Sequence, residues 1–581
     1  MGWPYGFPAL SHEEKLLRRQ SLDLYACIAH YSALAPAVIF LVYRIVRHVA
    51  SRAGHGSTST EQGRYTPVPR SPISKAHQQG SVGRLASQWR RLTWWLGDDV
   101  RVAGSHWGQR DEWILGAVWT AWLLVLSVKG TGKDYFHLTK RFGIIAVSQL
   151  PIQYLLALKA LNPFAWAFRS SHEHINRYHR VLGRIIYGFV LLHLLFYNGY
   201  FIAAGIWLRR IFDTVVFCGL LASFGFHGIA TTAMRAAREY SYRLFFITHL
   251  VVALFMPVLL FFHASSARFY IVEAVVIFIV DLAVRRITTI NSPSTLETVP
   301  GTTLVKVTSS IPLHRLAGFR AAPGSHIYLT IPPLSRTSAV PSSQSAIFDY
   351  LYNPFTVAAI DAEEGTVSFI ARIRGGPMTN TLSDFSAVAS QSATAPRKIT
   401  LGIEGPYGTM SAHFNDLLSW GANRILLISG GVGATFALPV YQALQSELPS
   451  STKLQFIWAI RGAGDATWAV SNAATGKSVL EDSNIQLFLT GDMGVADDHG
   501  DAGALEMSTL RRASGRATSS HNRKRPHIDK IVGDMFRQGA GDSVAVLVCG
   551  PIEMTREVKR SVGSWVMKGR RVWWHSETFG Y

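Results

Sequence analysis

Apolar residues gather in long blocks over the first half of the chain and in short runs over the second. Seven blocks are long enough to cross a bilayer, for which about 20 apolar residues suffice. They run over 22–46, 112–129, 142–161, 180–204, 211–231, 242–263 and 268–284. After residue 296 the pattern turns to short β-type runs such as TLVKV and HIYLTI. From 424 it becomes strand, glycine turn, helix (RILLIS, GGVGAT, FALPVYQAL), with later strands at LQFIWAI, IQLFL and VAVLVC. Strands alternating with helices predict a parallel sheet. The expected fold is thus a polytopic α-helical membrane domain followed by a β-barrel and a doubly wound α/β domain.

Lys and Arg set the orientation, because cytoplasmic loops carry an excess of them. The stretch after the first block holds ten Lys and Arg from Arg47 to Arg110 against Glu61, Asp98 and Asp99. Arg169, Arg177, Arg235, Arg238, Arg243, Arg285 and Arg286 fall on the same side if spans alternate. This places the N-terminus outside and everything after residue 285 in the cytoplasm. One outer loop is also basic, with Lys129, Lys133, Lys140 and Arg141. It suits anionic metal chelates and lipid headgroups alike. The first block reads as a retained helix, not a cleaved leader.

The expected organisation is an extracytoplasmic start (1–21), a first span (22–46), a basic and partly disordered linker (47–110), a six-helix membrane domain (111–286), a β-barrel (296–420) and a nucleotide-binding α/β domain (421–581). Charged residues make up 16% and the formal net charge is +20. The basic surplus clusters beside the apolar blocks, which favours membrane lipid over nucleic acid as its partner. Cys27, Cys218 and Cys549 are the only cysteines, too few and too scattered for a disulfide framework or a thiolate metal site.

Four histidines inside the blocks carry the candidate chemistry. His179 and His193 stand fourteen residues apart, and so do His249 and His263. Fourteen residues of α-helix return a side chain to within roughly 40° of the same face and rise about 21 Å. One span lies between the two helices, so they run parallel, with His179 level with His249 and His193 level with His263. Each level can hold one haem between two neutral imidazoles. Ionisable groups in spans are rare and usually functional. His172, His174 and His227 fall outside this pattern, the first two as loop residues and the third as a structural one.

The stretches HEHINRYHRVLGR and YRLFFITHLVVALFMPVLLFFH resemble the ferric reductase transmembrane domain, shared by fungal ferric-chelate reductases and NADPH oxidases. The resemblance covers about 112–581, and the extra first span is more similar to the fungal metalloreductases. It implies two b-type haems, FAD and NADPH, a ferredoxin-NADP reductase-like cytoplasmic module, and ferric or cupric chelates as acceptors. Oxygen is the acceptor in the oxidase branch, which shares every cofactor motif. A plasma membrane location is implied first, a vacuolar one second. A haem protein with a nucleotide-sensing domain is the reading from another class.

In the barrel, Asn353-Pro354-Phe355-Thr356 resembles the family's HPFT flavin motif, with Asn353 in place of His. Arg374, Gly376 and Thr379 precede a helix start and suit a flavin pyrophosphate, with Pro377 as an added residue. Gly430, Gly431, Gly433 and Thr435 form the dinucleotide loop between strand and helix. Arg461, at a strand end, suits a 2′-phosphate. Cys549, Gly550 and Pro551 resemble the family's CGP turn beside the nicotinamide, with the thiol as a positioning group. Glu577, Phe579 and Tyr581 close the chain, and the resemblance implies that an aromatic there covers the flavin ring.

Overall fold

The computed structural model describes residues 5–55, 81–336, 348, 351–390, 398–469, 482–491, 525–539 and 541–577. Two compact units emerge, one built from 1–63 and 96–287, the other from 64–95 and 288–581.

The first unit is helical. Helix α1 spans His12–His55, α2 Arg110–Val128, α3 Tyr135–Ser148, α4 Leu150–Ala157, α5 His172–Ala203, α6 Thr214–Thr232, α7 Tyr242–His263 and α8 Arg268–Thr288. Five of these, α1, α2, α5, α6 and α7, are long and apolar enough to cross a membrane among the described residues. The third sequence block is broken into α3 and α4 at Gln149, with Pro151 in the first turn of α4. Proline suits that position because its missing N–H has no helical partner there. The Gln149 side-chain amide donates to the Ala29 carbonyl at 3.0 Å, so the break is tied to α1.

Helix α8 falls short of a fully apolar span because it carries Glu273 and Asp281. Both carboxylates have partners. Asp281 accepts from the backbone N–H groups of Ala160 and Leu161, at 3.0 and 2.9 Å. Glu273 lies 3.4 Å from Nε2 of His30 on α1, and His30 Nδ1 reaches the Ser148 carbonyl at 3.0 Å. Buried charge in an apolar layer is tolerated only with such pairing.

The segment between α1 and α2 is not all irregular. It includes a helix over Ser81–Leu96 and a hairpin of β1 (Asp99–Val102) and β2 (Ser105–Gln109). Trp94 of that helix lies edge-on to Trp574 at 5.4 Å, within the second unit.

The second unit opens with a closed six-stranded barrel: β3 (Ile290–Thr298), β4 (Leu304–Ser310), β5 (His326–Thr330), β6 (Asn353–Asp361), β7 (Thr366–Arg372) and β8 (Ile399–Tyr407). The order around it is β3-β4-β7-β6-β5-β8. Alternation fills its interior with Val305, Val307, Ile327, Leu329, Phe369 and Ile403, all fully buried. A five-stranded parallel sheet follows: β9 (Arg424–Gly430), β10 (Lys453–Ile460), β11 (Ile485–Leu489), β12 (Val544–Cys549) and β13 (Val572–Glu577). Its order is β11-β10-β9-β12-β13. The chain winds outward from β9 in one direction and resumes at β12 in the other. Ligands of such sheets bind beyond the carboxyl ends of the strands at this switch point.

Candidate functional site

Helix α5 begins at Ser171, whose hydroxyl accepts from the His174 N–H, and it carries His179 and His193. Helix α7 begins at Ser241, capped in the same way, and carries His249 and His263. The rings of His179 and His249 lie 6.1 Å apart, centre to centre. Those of His193 and His263 lie 6.1 Å apart as well. Two imidazoles sharing one metal, each nitrogen about 2 Å from it, have centres roughly 6 Å apart. Both pairs therefore fit a bis-imidazole haem.

Protonation fits too. Nδ1 of His179 donates to the Gln153 carbonyl at 2.9 Å, Nδ1 of His193 to the Thr139 carbonyl at 2.8 Å and Nδ1 of His263 to the Val215 carbonyl at 2.6 Å. A proton held on Nδ1 leaves the Nε2 lone pair for a metal. The Gln153 side-chain amide points at that lone pair of His179, 3.3 Å away. His249 differs, because its Nδ1 is buried without a hydrogen-bond partner.

Two glycines make room for the His193–His263 pair. A Cβ on Gly143 of α3 would lie 2.7 Å from Nδ1 of His193. One on Gly219 of α6 would overlap the His263 ring. Of the histidines outside the pattern, His172 and His174 lie in the first turn of α5 rather than in a loop, and His227 contacts the Tyr187 hydroxyl at 2.6 Å.

In the barrel, Asn353, Pro354, Phe355 and Thr356 open β6. Phe355 stacks on Phe369 at 5.7 Å, and Thr356 pairs in register with the buried His326 of β5. His326 is a neighbour of the flavin motif that the sequence did not single out. Gly375 has φ +74°, a left-handed turn that suits glycine. Pro377 is the first residue of helix α9 (Pro377–Ser390), so the added residue starts the helix instead of distorting the turn. The Arg374 N–H donates to Thr379 Oγ1 at 3.4 Å, and that hydroxyl donates to the Gly376 carbonyl at 3.2 Å. A tight turn ahead of a helix N-terminus is an anion cradle.

At the switch point, Gly430, Gly431 and Gly433 turn β9 into helix α10 (Ala434–Glu447), which begins beside the buried Thr435. The Gly431 carbonyl accepts from the Trp458 indole at 3.1 Å, which fixes the turn. Gly433 packs so closely on the Cys549 carbonyl that any Cβ would overlap it. The two loops that flank the switch point, 430–433 and 549–551, are thus in backbone contact. Gly550 sits against the Gly430 N–H, and Pro551 starts the helix α11 (Ile552–Met567).

Cys549 pairs in register with Ser429 of β9 on one side and with Glu577 of β13 on the other. This row of Ser, Cys and Glu along the carboxyl ends of three strands was only partly visible in sequence, since Ser429 carried no motif. The Ser429 hydroxyl is buried without a partner. Burial, and then the Glu577 carboxylate, push the Cys549 thiol far above its ordinary value, so it stays protonated. Glu577 lies 3.1 Å from Nε2 of His575. Arg461 lines a cleft of about 530 Å³ with Gly301, Thr302, Thr303 and Asp465. Arg372, another residue the sequence reading passed over, pairs with Asp465 at 3.3 Å beside Gly431. Phe579 and Tyr581 lie outside the described residues.

Three family models match this chain. The ferric reductase like transmembrane component matches 142–260, the FAD-binding domain 294–411 and the ferric reductase NAD binding domain 422–563. The fold and these modules define a membrane-embedded oxidoreductase that carries a flavin- and nicotinamide nucleotide-binding module. The chain belongs to the ferric reductase family. It is similar to the Schizosaccharomyces pombe "Ferric/cupric reductase transmembrane component 2", 22% identical over 75% of this chain and 80% of that one. The Meyerozyma guilliermondii "Probable metalloreductase AIM14" is 22% identical over 79% of this chain and 88% of its own length. The S. pombe "Ferric reductase transmembrane component 1" is 22% identical over 73% and 76%.

Proposed function

We propose that this protein moves electrons from cytoplasmic NADPH, by way of FAD and two b-type haems, to ferric or cupric chelates across the plasma membrane. The observation that carries the reading is the pair of His–His contacts, each 6.1 Å between ring centres, set fourteen residues apart on two helices. His179 with His249 and His193 with His263 are the proposed haem ligands. The flavin, when bound, takes a hydride as an electron pair and releases electrons singly, and the haems carry them one at a time.

The chain's own residues bind and orient. Asn353, Pro354, Phe355 and Thr356 hold the flavin ring, and Arg374, Gly376 and Thr379 its phosphates. Gly430, Gly431, Gly433 and Thr435 hold the dinucleotide against the α10 N-terminus, and Arg461 selects NADPH through the 2′-phosphate. Cys549, Gly550, Pro551 and Glu577 position the nicotinamide, with the neutral thiol as a contact and not a nucleophile. Phe579 and Tyr581 are the proposed aromatic cover of the flavin.

The test is NADPH-dependent reduction of a ferric chelate by membranes containing the protein, with and without superoxide dismutase and oxygen. Reduction indifferent to both supports the proposal. Reduction that collapses with either means that superoxide carries the electrons and the protein is an oxidase. Haem that NADPH never reduces means a sensor and not an enzyme.

A further inference from the structure

The helix over Ser81–Leu96 has two opposed faces. At about 100° per residue, Gly83, Ser87, Arg90 and Trp94 fall on one side and Leu85, Trp89 and Leu92 on the other. The first side is packed within the second unit. Trp94 joins the apolar cluster of Val562, Val566 and Trp574, and a Cβ on Gly563 of α11 would lie 2.6 Å from its indole Nε1. Ser87 and the Arg91 guanidinium border Gly569, just beyond α11. The second side is bare. Leu85 and Trp89 are 65% exposed and Leu92 is 45% exposed, with Trp95 beside them at 43%.

The helix has no acidic residue and carries Arg84, Arg90 and Arg91. None of the three pairs with a carboxylate among the described residues. The acids that follow the helix are taken, Asp98 by Arg110 and Asp99 by His106, each at 3.3 Å. Burial, and then Arg571, hold the Arg90 guanidinium below its ordinary value, so a further cation stands against the helix. Arg84 and Arg91 lie on one flank of the bare stripe, about 100° round the helix. Residues 97–109, with the hairpin of β1 and β2, are all that join Leu96 to Arg110, the first residue of the span-length helix α2. So short a tether limits how far the helix can stand from the bilayer.

We propose that the bare stripe of this helix seats in the surface of an anionic lipid bilayer, so that a single helix fastens the α/β domain to the membrane. Trp and Leu side chains enter the boundary between headgroups and acyl chains, and flanking arginines reach the lipid phosphates. That division of apolar and basic residues is the pattern of helices that lie in a bilayer surface. The long arginine side chains span the distance by laying their stems on apolar surface and their charged ends in the polar layer. With the orientation proposed above, the surface is that of the cytoplasmic leaflet, which is negatively charged. The inference rests on the chain's place in a membrane and not on its electron acceptor or nucleotide.

The test uses the full-length protein in lipid nanodiscs, with Cys27→Ala and Cys218→Ala in the background and the buried Cys549 kept. A nitroxide is attached in turn to Leu85→Cys, Ala86→Cys, Trp89→Cys, Leu92→Cys and Thr93→Cys, all exposed positions. Relaxation of the nitroxide by membrane-dissolved oxygen and by an aqueous nickel chelate is then compared. In discs containing phosphatidylserine, the oxygen-to-nickel ratio should peak at 85, 89 and 92 over 86 and 93. Arg84→Gln with Arg91→Gln should lower the peaks, since one arginine near an anionic surface contributes roughly fivefold to binding. A flat profile with nickel access throughout overturns the proposal. Peaks of equal height in discs of phosphatidylcholine alone overturn the choice of an anionic surface. Unchanged elution and circular dichroism establish that each variant is folded. Electron transfer does not enter the readout, so this result and that of the chelate assay stand or fall separately.

Discussion

Gly143 and His193 are in such close contact that a methyl group on the glycine would lie 2.7 Å from the imidazole Nδ1, which in turn donates to the Thr139 carbonyl at 2.8 Å. Both contacts come from the backbone of one helix, α3, and meet the ring at its Nδ1 edge. Gly143→Ala should push His193 off its line to His263 and lower the haem content from about two per chain towards about one, since supporting contacts of a metal ligand govern affinity by roughly 10–100-fold. Gly188→Ala, on the same helix as His193 with open space around its Cα, should leave the content unchanged. Pyridine haemochromogen assays on both purified variants measure this. Full haem in Gly143→Ala would mean that His193 and His263 are not a ligand pair.

Arg461→Ala should raise the KM for NADPH by about tenfold to a hundredfold and leave NADH kinetics alone, because a hydrogen bond to a charged group contributes about 1.5–3 kcal/mol. Steady-state rates with both nucleotides check this. An equal loss with NADH would move Arg461 from 2′-phosphate selection to general packing.

The Cys549 thiol is buried and its ionisation is shifted far upward. Alkylating reagents should spare it in the native protein at pH 8 and modify it after denaturation, which peptide mass spectrometry reads directly. Since the neutral form persists, no thiol ionisation should enter the rate profile between about pH 6 and 9. Cys549→Ala should lower kcat by about tenfold or less, equivalent to about 1.4 kcal/mol. Rapid native alkylation would show instead that the switch point is open to reagents.

Gly433→Ala forces a methyl group into the Cys549 carbonyl. The two switch-point loops must part, at an expected loss of about 1–3 kcal/mol for overpacking. NADPH binding should fall while FAD stays bound, because the barrel has its own core. Calorimetric unfolding and flavin fluorescence separate the two effects, and simultaneous loss of FAD would contradict the independence of the barrel.

The fourteen-residue histidine spacing was legible because helical period alone determines which face a residue occupies. The strand–glycine–helix signature of 424–447 was legible for the same local reason. The break at Gln149 was hidden inside an unbroken apolar block, although Pro151 marked it. Three features depend on distant chain segments meeting: the Thr139 and Gln153 carbonyls behind the histidines, His326 opposite Thr356, and Ser429 level with Cys549. Strand register and helix contact decide such meetings, and no local pattern records them. The charged residues of α8 lowered its apolar character, yet their partners His30, Ala160 and Leu161 come from two other segments.

The rise between the two histidine levels also has an electrical meaning. Charge that passes from one level to the other travels about 21 Å of helix axis, a large part of the roughly 30 Å hydrocarbon layer. Moving one elementary charge across the whole layer involves about 2.3 kcal/mol per 100 mV. In the proposed reaction, turnover is therefore a current. With the orientation proposed above, an inside-negative voltage drives it and turnover depolarises the membrane, so sustained activity requires a compensating flow of ions by some other route.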